Sequence, residues 1–288
     1  MSESEARSLM EQAAKKATSK GWFGFGGPKY DEAADLYRQA GNGFKLGKKW
    51  NDAGHAYLRA AELLMVAGEK DEAANQYIAA SKCYKKGNPE EAIQTLRKAV
   101  EVLNAGGRFY PAANHQKDIA QLYETELLDP RAAMDAYEAA AELYSGEESV
   151  AQTNNCLLKV AAFAAQLEQY PKAMEIFERI AAASVDNQLT KWSVKEYLLK
   201  AGICRLAAGD DIATQNALHR YQEMDVAFGS TRECKLLVHL ADAARNHDVD
   251  AFTHFVFEYD QMTKLDNWKT TILLRVKKAL TEEEVELT

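Results

Sequence analysis

The side chains that could do chemistry are scattered along this chain without the spacing of a catalytic or metal-binding motif. His239 and His247 are eight positions apart and could share one face of a helix, but no carboxylate or cysteine joins them at metal-ligand spacing. Such isolated histidines are typical of surface side chains or of side chains hydrogen-bonded within the fold. We therefore predict no metal site.

The glycine-rich segment 21–27 is the one stretch that suggests a phosphate-binding loop. It lacks the lysine followed by serine or threonine that such a loop needs, and no strand precedes it. The HExxH, GxSxG and GxxxxGK(S/T) patterns are missing from the whole sequence. The sequence therefore predicts a protein that is not an enzyme and that uses no cofactor.

Composition indicates which class of ligand the protein binds and in which cellular compartment it is found. The 288 residues carry a net charge of −8, which disfavours nucleic acid as the main ligand. Cys83, Cys156, Cys204 and Cys234 match no CxxC or metal pattern, so we expect buried, reduced thiols. The chain begins without a signal-peptide pattern and has no apolar run of roughly 20 residues, so we expect a cytoplasmic protein.

A phrase of alanines followed by an aromatic residue returns about every twenty residues, as in stacked helical repeats. Alanines allow neighbouring helices to approach closely, and a tyrosine on the same helix face fills the adjacent groove. The clear copies are DEAADLY at 31–37, DAGHAY at 52–57 and DEAANQY at 71–77, and weaker copies occur at 91–93, 111–113, 131–137 and 172–177.

This repeat predicts an all-α protein whose helices pair into hairpins. We expect residues 1–190 to form a right-handed superhelical solenoid of TPR-like antiparallel helix hairpins. The repeat fades after about residue 190, although the apolar spacing still indicates helices. We therefore expect residues 191–288 to form a C-terminal helical bundle that caps the solenoid and ends in an acidic tail. Pro89 and Pro130 are expected at helix starts.

Trp22, Phe23 and Phe25 stand in the loop predicted at 21–28. Two interpretations are open: the aromatic side chains fold back onto the first helices, or they enter the headgroup region of a membrane while the glycines permit bending. The second explains why large aromatic residues occur in a flexible loop.

Basic residues gather near the predicted helix ends. They either complement helix dipoles or form a basic stripe that binds an acidic, elongated partner. The set is Lys45, Lys48, Lys49, Lys82, Lys85, Lys86, Arg108, Lys159, Lys191, Lys195, Arg232 and Lys235. The C-terminal tail also has two interpretations: a solvated acidic end, or a docking peptide with Val285 and Leu287 as apolar contacts.

Long sequence strings resemble the soluble NSF attachment proteins of the alpha type. These strings include IAQLYETEL at 119–127, CLLKVA at 156–161, STRECKL at 230–236 and LDNWKTTILLRVK at 265–277. The resemblance covers essentially the whole chain. It implies an adaptor that wraps the four-helix SNARE bundle, with syntaxin-type SNAREs among its partners, and that recruits and stimulates the hexameric ATPase NSF. SNARE disassembly then supports vesicle fusion, including transport between the ER and the Golgi.

The resemblance also implies roles for individual positions. It places Trp22, Phe23 and Phe25 in a membrane-contact loop, which makes the protein peripheral on membranes. It implies SNARE contacts at Lys48, Lys85, Lys86, Arg108, Lys159, Lys191 and Arg232, and NSF contacts at Asp210, Asp211, Asp242 and Leu287.

Four positions depart from this pattern. Asn114 and Asn155 stand where relatives commonly have lysine, and Arg245 and Asn246 replace an acidic pair. The alternative function is a helical-repeat scaffold for another coiled-coil partner.

Overall fold

A computed structural model describes residues 1–19 and 29–287, with the backbone alone for 283–287. These residues form fourteen α-helices and no strand, so the predicted all-α class is confirmed; the right-handed superhelix stays a prediction. The helices are α1 (Glu3–Thr18), α2 (Tyr30–Leu46), α3 (Trp50–Ala67), α4 (Lys70–Tyr84), α5 (Pro89–Ala105), α6 (Phe109–Leu122), α7 (Pro130–Gly146), α8 (Val150–Gln166), α9 (Tyr170–Ser184), α10 (Val194–Ala208), α11 (Asp211–Met224), α12 (Arg232–Arg245), α13 (Val249–Met262) and α14 (Asn267–Leu287).

The helix starts follow from local chemistry. Asn88 and Asp129 are N-cap residues whose side-chain oxygens accept from the backbone N–H three residues later, at 3.3 and 3.0 Å. Pro89 and Pro130 follow them as first helical residues, where the missing N–H costs no hydrogen bond. The predicted proline starts are therefore confirmed. A π-helical turn, Tyr123–Leu127, extends α6.

The chain divides into two compact units, Met1–Cys156 (unit 1) and Leu157–Thr288 (unit 2). The division falls inside α8, whereas the sequence pattern places its change near residue 190. Helix α9, before that position, packs against α10, after it. Packing is thus continuous across residue 190 because it depends on apolar faces, which persist after the alanine phrase has faded.

Unit 1 is held together by the repeated alanine and tyrosine positions. Each helix from α1 to α6 packs against the next one along the chain, and the turns between α2 and α6 are short, so neighbours run antiparallel. The alanines at the start of each phrase, such as Ala33 and Ala73, have no solvent exposure. The following tyrosines Tyr37, Tyr57 and Tyr77 are buried as well. The proposed role of the phrase in helix packing is confirmed.

Unit 2 has α10 at its centre. This helix packs against α9, α11, α12 and α14, and its Leu198, Leu199 and Ile203 are completely buried. A half-buried polar group adds specificity: Glu178 accepts from the Arg205 guanidinium at 2.5 Å and from the Tyr221 hydroxyl. Each partner satisfies the other's buried polar atoms, so the helices are locked in one register.

Helix α14 is fastened to α8 by two side chains. The Trp268 indole N–H donates to the carbonyl of Ala162 at 2.9 Å. Two turns later, the Arg275 guanidinium donates to the carbonyls of Ala165 and Gln166 at 3.1 and 2.9 Å. The carbonyls of Ala165 and Gln166 belong to the last turn of α8, where carbonyls lack acceptor roles within the helix. Over the described part of the chain, no helix combines the length and apolar character that crossing a bilayer requires.

Close helix contact at Gly54 generates a stability prediction. A Cβ atom added at Gly54 of α3 would lie 2.7 Å from the buried ring of Tyr84. We expect Gly54→Ala to destabilise the protein by about 1–3 kcal/mol, because the overpacked ring must shift. This loss exceeds the helix-propensity gain of about 1 kcal/mol from replacing glycine. The measurement is the midpoint of thermal unfolding.

Gly146→Ala is the matched control, because a Cβ atom there meets nothing within 4 Å. Its unfolding midpoint should equal or exceed that of the unmodified protein. A midpoint for Gly54→Ala at or above this control would contradict the packing argument.

Candidate functional site

The lysines predicted to bind a partner stand at one edge of unit 1. Lys48 lies in the turn after α2, with φ of 56° in the left-handed region, and Lys85 and Lys86 follow α4. The two turns are neighbours, because the Lys86 ammonium lies 4.0 Å from the centroid of the Trp50 ring at the start of α3. These three lysines are all exposed to solvent.

Five exposed lysines at this edge have no ion-pair partner among the side chains of residues 1–19 and 29–282. Elsewhere in unit 1, by contrast, Arg38, Arg59 and Lys98 pair with carboxylates. Positive charge is therefore left uncompensated on one edge, which favours a binding surface over helix-dipole complementarity alone. We call these five residues the lysine cluster: Lys45, Lys48, Lys82, Lys85 and Lys86.

The lysine cluster affects a buried thiol beside it. Burial raises the pKa of Cys83, while the charges of Lys45 and Lys86 act in the opposite direction. The positive charge of the lysine cluster thus acts on the Cys83 thiol in the core beneath it.

A groove of about 220 Å³ runs beside the lysine cluster between α4 and α6. Ile78, Lys82 and Lys85 line it from α4. His115 and Asp118 line it from α6, where the His115 Nδ1 and an Asp118 carboxylate oxygen are 3.1 Å apart. The groove therefore presents two ammonium groups opposite a carboxylate that already has a partner.

Arg108 is separated from the lysine cluster. It lies at the start of α6, at the opposite edge of unit 1, and its guanidinium is 3.1 Å from the Asp71 carboxylate at the start of α4. The structure thus does not bring this predicted contact residue together with Lys85 and Lys86. Any acidic partner has to compete there with Asp71, whose side chain is 84% exposed.

Asn114 has a role within the fold. Its side-chain oxygen accepts the hydroxyl hydrogen bond of the buried Tyr144 at 2.6 Å. Asn155 on α8 is exposed to solvent. The two asparagines therefore differ: the side chain of Asn114 completes a core contact, and that of Asn155 faces solvent.

In unit 2, Lys191 borders a cavity of about 500 Å³ together with Trp192 and Lys195. Thr231, the N-cap residue of α12, lies on the opposite wall, and Arg232 follows it directly. Lys195 is paired with Glu233 at 3.1 Å. Lys191 thus borders this cavity, whereas Arg232 lines a separate one of about 190 Å³ together with Lys235 and His239.

Exposed apolar side chains accompany Lys191, and the sequence reasoning missed them. Leu189 is 90% exposed and Trp192 is 77% exposed, while the Lys191 ammonium lies 5.1 Å from the Trp192 ring centroid. Large apolar residues in a connecting segment were the signal that drew attention to Trp22 and Phe23, and the same signal applies to 189–192. Lys159, on the exposed side of α8, interacts with other described residues.

Three aspartates predicted to bind the ATPase are all on helices of unit 2 or next to them. Asp210 is the N-cap residue of α11 and accepts from the backbone N–H of Ala213 at 2.8 Å, and Asp211 follows it, exposed. Asp242 on α12 forms an ion pair with Arg245 at 3.0 Å. Arg245 therefore places a positive charge beside this aspartate and reduces the acidity of this surface.

The predicted docking residue Leu287 is the last residue of α14. The acidic tail is therefore a continuation of this helix and not a separate segment. Since Trp268 and Arg275 fasten the same helix to α8, its direction is set within unit 2.

The cysteine thiols are buried in the structure. All four cysteines are free and buried, and burial raises the pKa of Cys204 to about 12. Among the described side chains, no group of three histidine, cysteine, aspartate or glutamate residues could hold a metal ion. Trp22, Phe23 and Phe25, the predicted membrane-contact residues, lie outside the described residues.

Comparison with known proteins gives one consistent result. The family model described as "Soluble NSF attachment protein, SNAP" matches residues 4–281. The chain is 49% identical to an alpha-soluble NSF attachment protein of Vitis vinifera over 96% of both chains. It is 46% identical to a probable vesicular-fusion protein sec17 homolog of Schizosaccharomyces pombe, which covers 97% of this chain and 98% of that protein.

The human alpha-soluble NSF attachment protein is 41% identical to this chain, over 99% of this chain and 98% of the human protein. Together with helices throughout the described residues, these matches show that the chain belongs to the soluble NSF attachment protein family.

Proposed function

We propose that this protein is a non-enzymatic adaptor that binds assembled SNARE bundles and recruits the NSF ATPase to take them apart. The relatives' names, soluble NSF attachment protein and vesicular-fusion protein, support both halves of the proposal. The observation that carries it is the lysine cluster: five exposed ammonium groups at one edge, without ion pairs among the described residues.

The SNARE contact in unit 1 follows from this charge. An elongated acidic bundle supplies the carboxylates that the lysine cluster lacks, and it can span neighbouring turns of the helix stack. Arg108, at the opposite edge of unit 1, gives a separate contact by exchanging Asp71 for a carboxylate of the bundle. The exchange keeps the number of ion pairs constant, so Arg108 contributes less affinity than Lys85 or Lys86.

In unit 2, Lys191 and Arg232 give a second, separate contact. Trp192 and Leu189 add apolar surface beside the charge, and such exposed aromatic side chains contribute strongly to interfaces. Lys159, on the exposed side of α8, extends the basic contact. The combination binds a helical bundle through both its acidic and its apolar side chains.

The ATPase contact uses α14 and the acidic positions of unit 2. Leu287 supplies an apolar anchor at the end of α14, and Asp210, Asp211 and Asp242 supply negative charge. Because Asp242 is paired with Arg245, we infer that Asp210 and Asp211 carry more of the electrostatic attraction. The anchor and the charges act on one partner, so each contact needs to be only moderately strong.

Membrane contact by the segment 21–28 completes the proposal. Trp22, Phe23 and Phe25 enter the headgroup region, and the protein is thereby peripheral on the membrane that holds the SNARE complex. Attachment to the same bilayer raises the effective concentration of the adaptor at its target.

The ATPase contact is tested by Leu287→Ala. We expect the concentration for half-maximal stimulation of NSF to rise about fivefold to thirtyfold, as loss of about 1–2 kcal/mol of apolar contact requires. SNARE binding should be unchanged, because none of the proposed SNARE-contact residues lies on α14. The measurements are ATPase rate against adaptor concentration and binding of a soluble SNARE bundle.

Leu274→Ala, an exposed leucine on the same helix, is the matched control and should stimulate normally. Normal stimulation by Leu287→Ala, or an equal loss in both variants, would remove Leu287 from the ATPase contact.

The membrane contact is tested by replacing Phe23 and Phe25 together with serine. Disassembly of bilayer-embedded SNARE complexes should slow by about tenfold, because the effective concentration given by the tether is lost. Disassembly of soluble complexes by the same variant is the control and should keep its rate. Equal slowing of both reactions would contradict a membrane role.

A further inference from the structure

Lys117 is a basic residue in the middle of α6, away from both edges of unit 1. Its side chain is half-buried, and it forms no ion pair with the side chains of residues 1–19 and 29–282. Its stem is partly covered, and its ammonium carries a charge that no described carboxylate neutralises. Such a group calls for an explanation beyond solubility.

The surroundings of Lys117 hold its ammonium at the surface between three helices. Its Nζ lies 5.9 Å from the ring centroid of Tyr144 on α7, which is completely buried. On α8, burial raises the pKa of Cys156, and the Lys117 charge acts against that rise, which places the ammonium within electrostatic reach of the thiol. The Tyr144 ring and the protein core lie on the inner side of the Lys117 ammonium. Its outward side is therefore open to a partner.

The neighbouring carboxylate does not neutralise this charge. Asp118 follows Lys117 in sequence but is hydrogen-bonded to His115 in the groove toward α4. Lys82 and Lys85, across that groove, are also without ion pairs among the described residues. A partner that covers this part of unit 1 therefore meets positive charge from two alternate helices and must itself be acidic.

Asn114 lies one turn before Lys117. Residues three apart on a helix have Cβ atoms roughly 5–6 Å apart, which is less than the reach of a lysine side chain. A charge presented at 117 can therefore reach the surface region that a charge at 114 would serve. Asn114 itself is occupied, since its oxygen accepts the Tyr144 hydroxyl hydrogen bond.

We propose that Lys117 is a SNARE-contacting residue that presents positive charge from α6, one turn after Asn114, whose side chain is held by Tyr144. This role rests on the proposed SNARE-binding function.

The test compares Lys117→Met with Lys117→Arg in binding to a soluble four-helix SNARE bundle at low and at high salt. The methionine variant keeps the apolar stem and loses the charge, and its affinity at low salt should fall about threefold to tenfold. The arginine variant keeps the charge and should bind within about twofold of the unmodified protein. At high salt the difference should shrink, because screening weakens the lost attraction.

Arg97→Glu on α5 is the charge-change control, because Arg97 is exposed and its one described partner is the Tyr123 hydroxyl. It should leave SNARE binding unchanged, and thermal unfolding verifies that every variant is folded. If the unmodified protein binds the bundle and Lys117→Met binds it equally well at low salt, the role of Lys117 is overturned alone. If the unmodified protein does not bind the bundle at all, the proposed function is overturned as well.

Discussion

The rest of this structure depends on the close approach of neighbouring helices through alanine and glycine. Ala33 and Ala73 are completely buried, and Gly54 leaves room only for the ring of Tyr84. Small residues on one helix and a tyrosine from the next leave little freedom in helix spacing, since the packed ring cannot move without opening a cavity. This spacing fixes where the turns fall. The turns in unit 1 then set the separation between Lys48 and the pair Lys85 and Lys86.

Charge pairing distinguishes the lysine cluster from several other basic residues of unit 1. Arg38, Arg59 and Lys98 form ion pairs with nearby carboxylates, which neutralise their charges within the fold. The lysine cluster, together with Lys117, keeps its charge available because no described carboxylate reaches it. A protein with a net charge of −8 thereby presents a strongly positive edge. Net charge describes the whole surface, whereas binding depends on the local field that a partner meets.

Sequence periodicity predicted the elements well, because it reflects local burial. The alanine phrase gave the helices, Pro89 and Pro130 marked helix starts, and the pattern after residue 190 indicated further helices. Pairing between distant positions was not predictable in this way. Arg108 meets Asp71, 37 residues away, and Tyr144 meets Asn114, 30 residues away. Such contacts depend on how the turns align helices in space, so the sequence alone did not separate paired from unpaired charges.

In the proposed function, this protein couples SNARE binding to NSF action. Reconstituted disassembly of purified SNARE complexes by NSF and ATP, with and without this protein, tests that coupling. We expect free SNAREs to accumulate only when the protein, NSF and ATP are all present, and high salt to slow the reaction because the basic contact is screened. Disassembly at the same rate without the protein, or none with it although NSF hydrolyses ATP, would contradict this coupling.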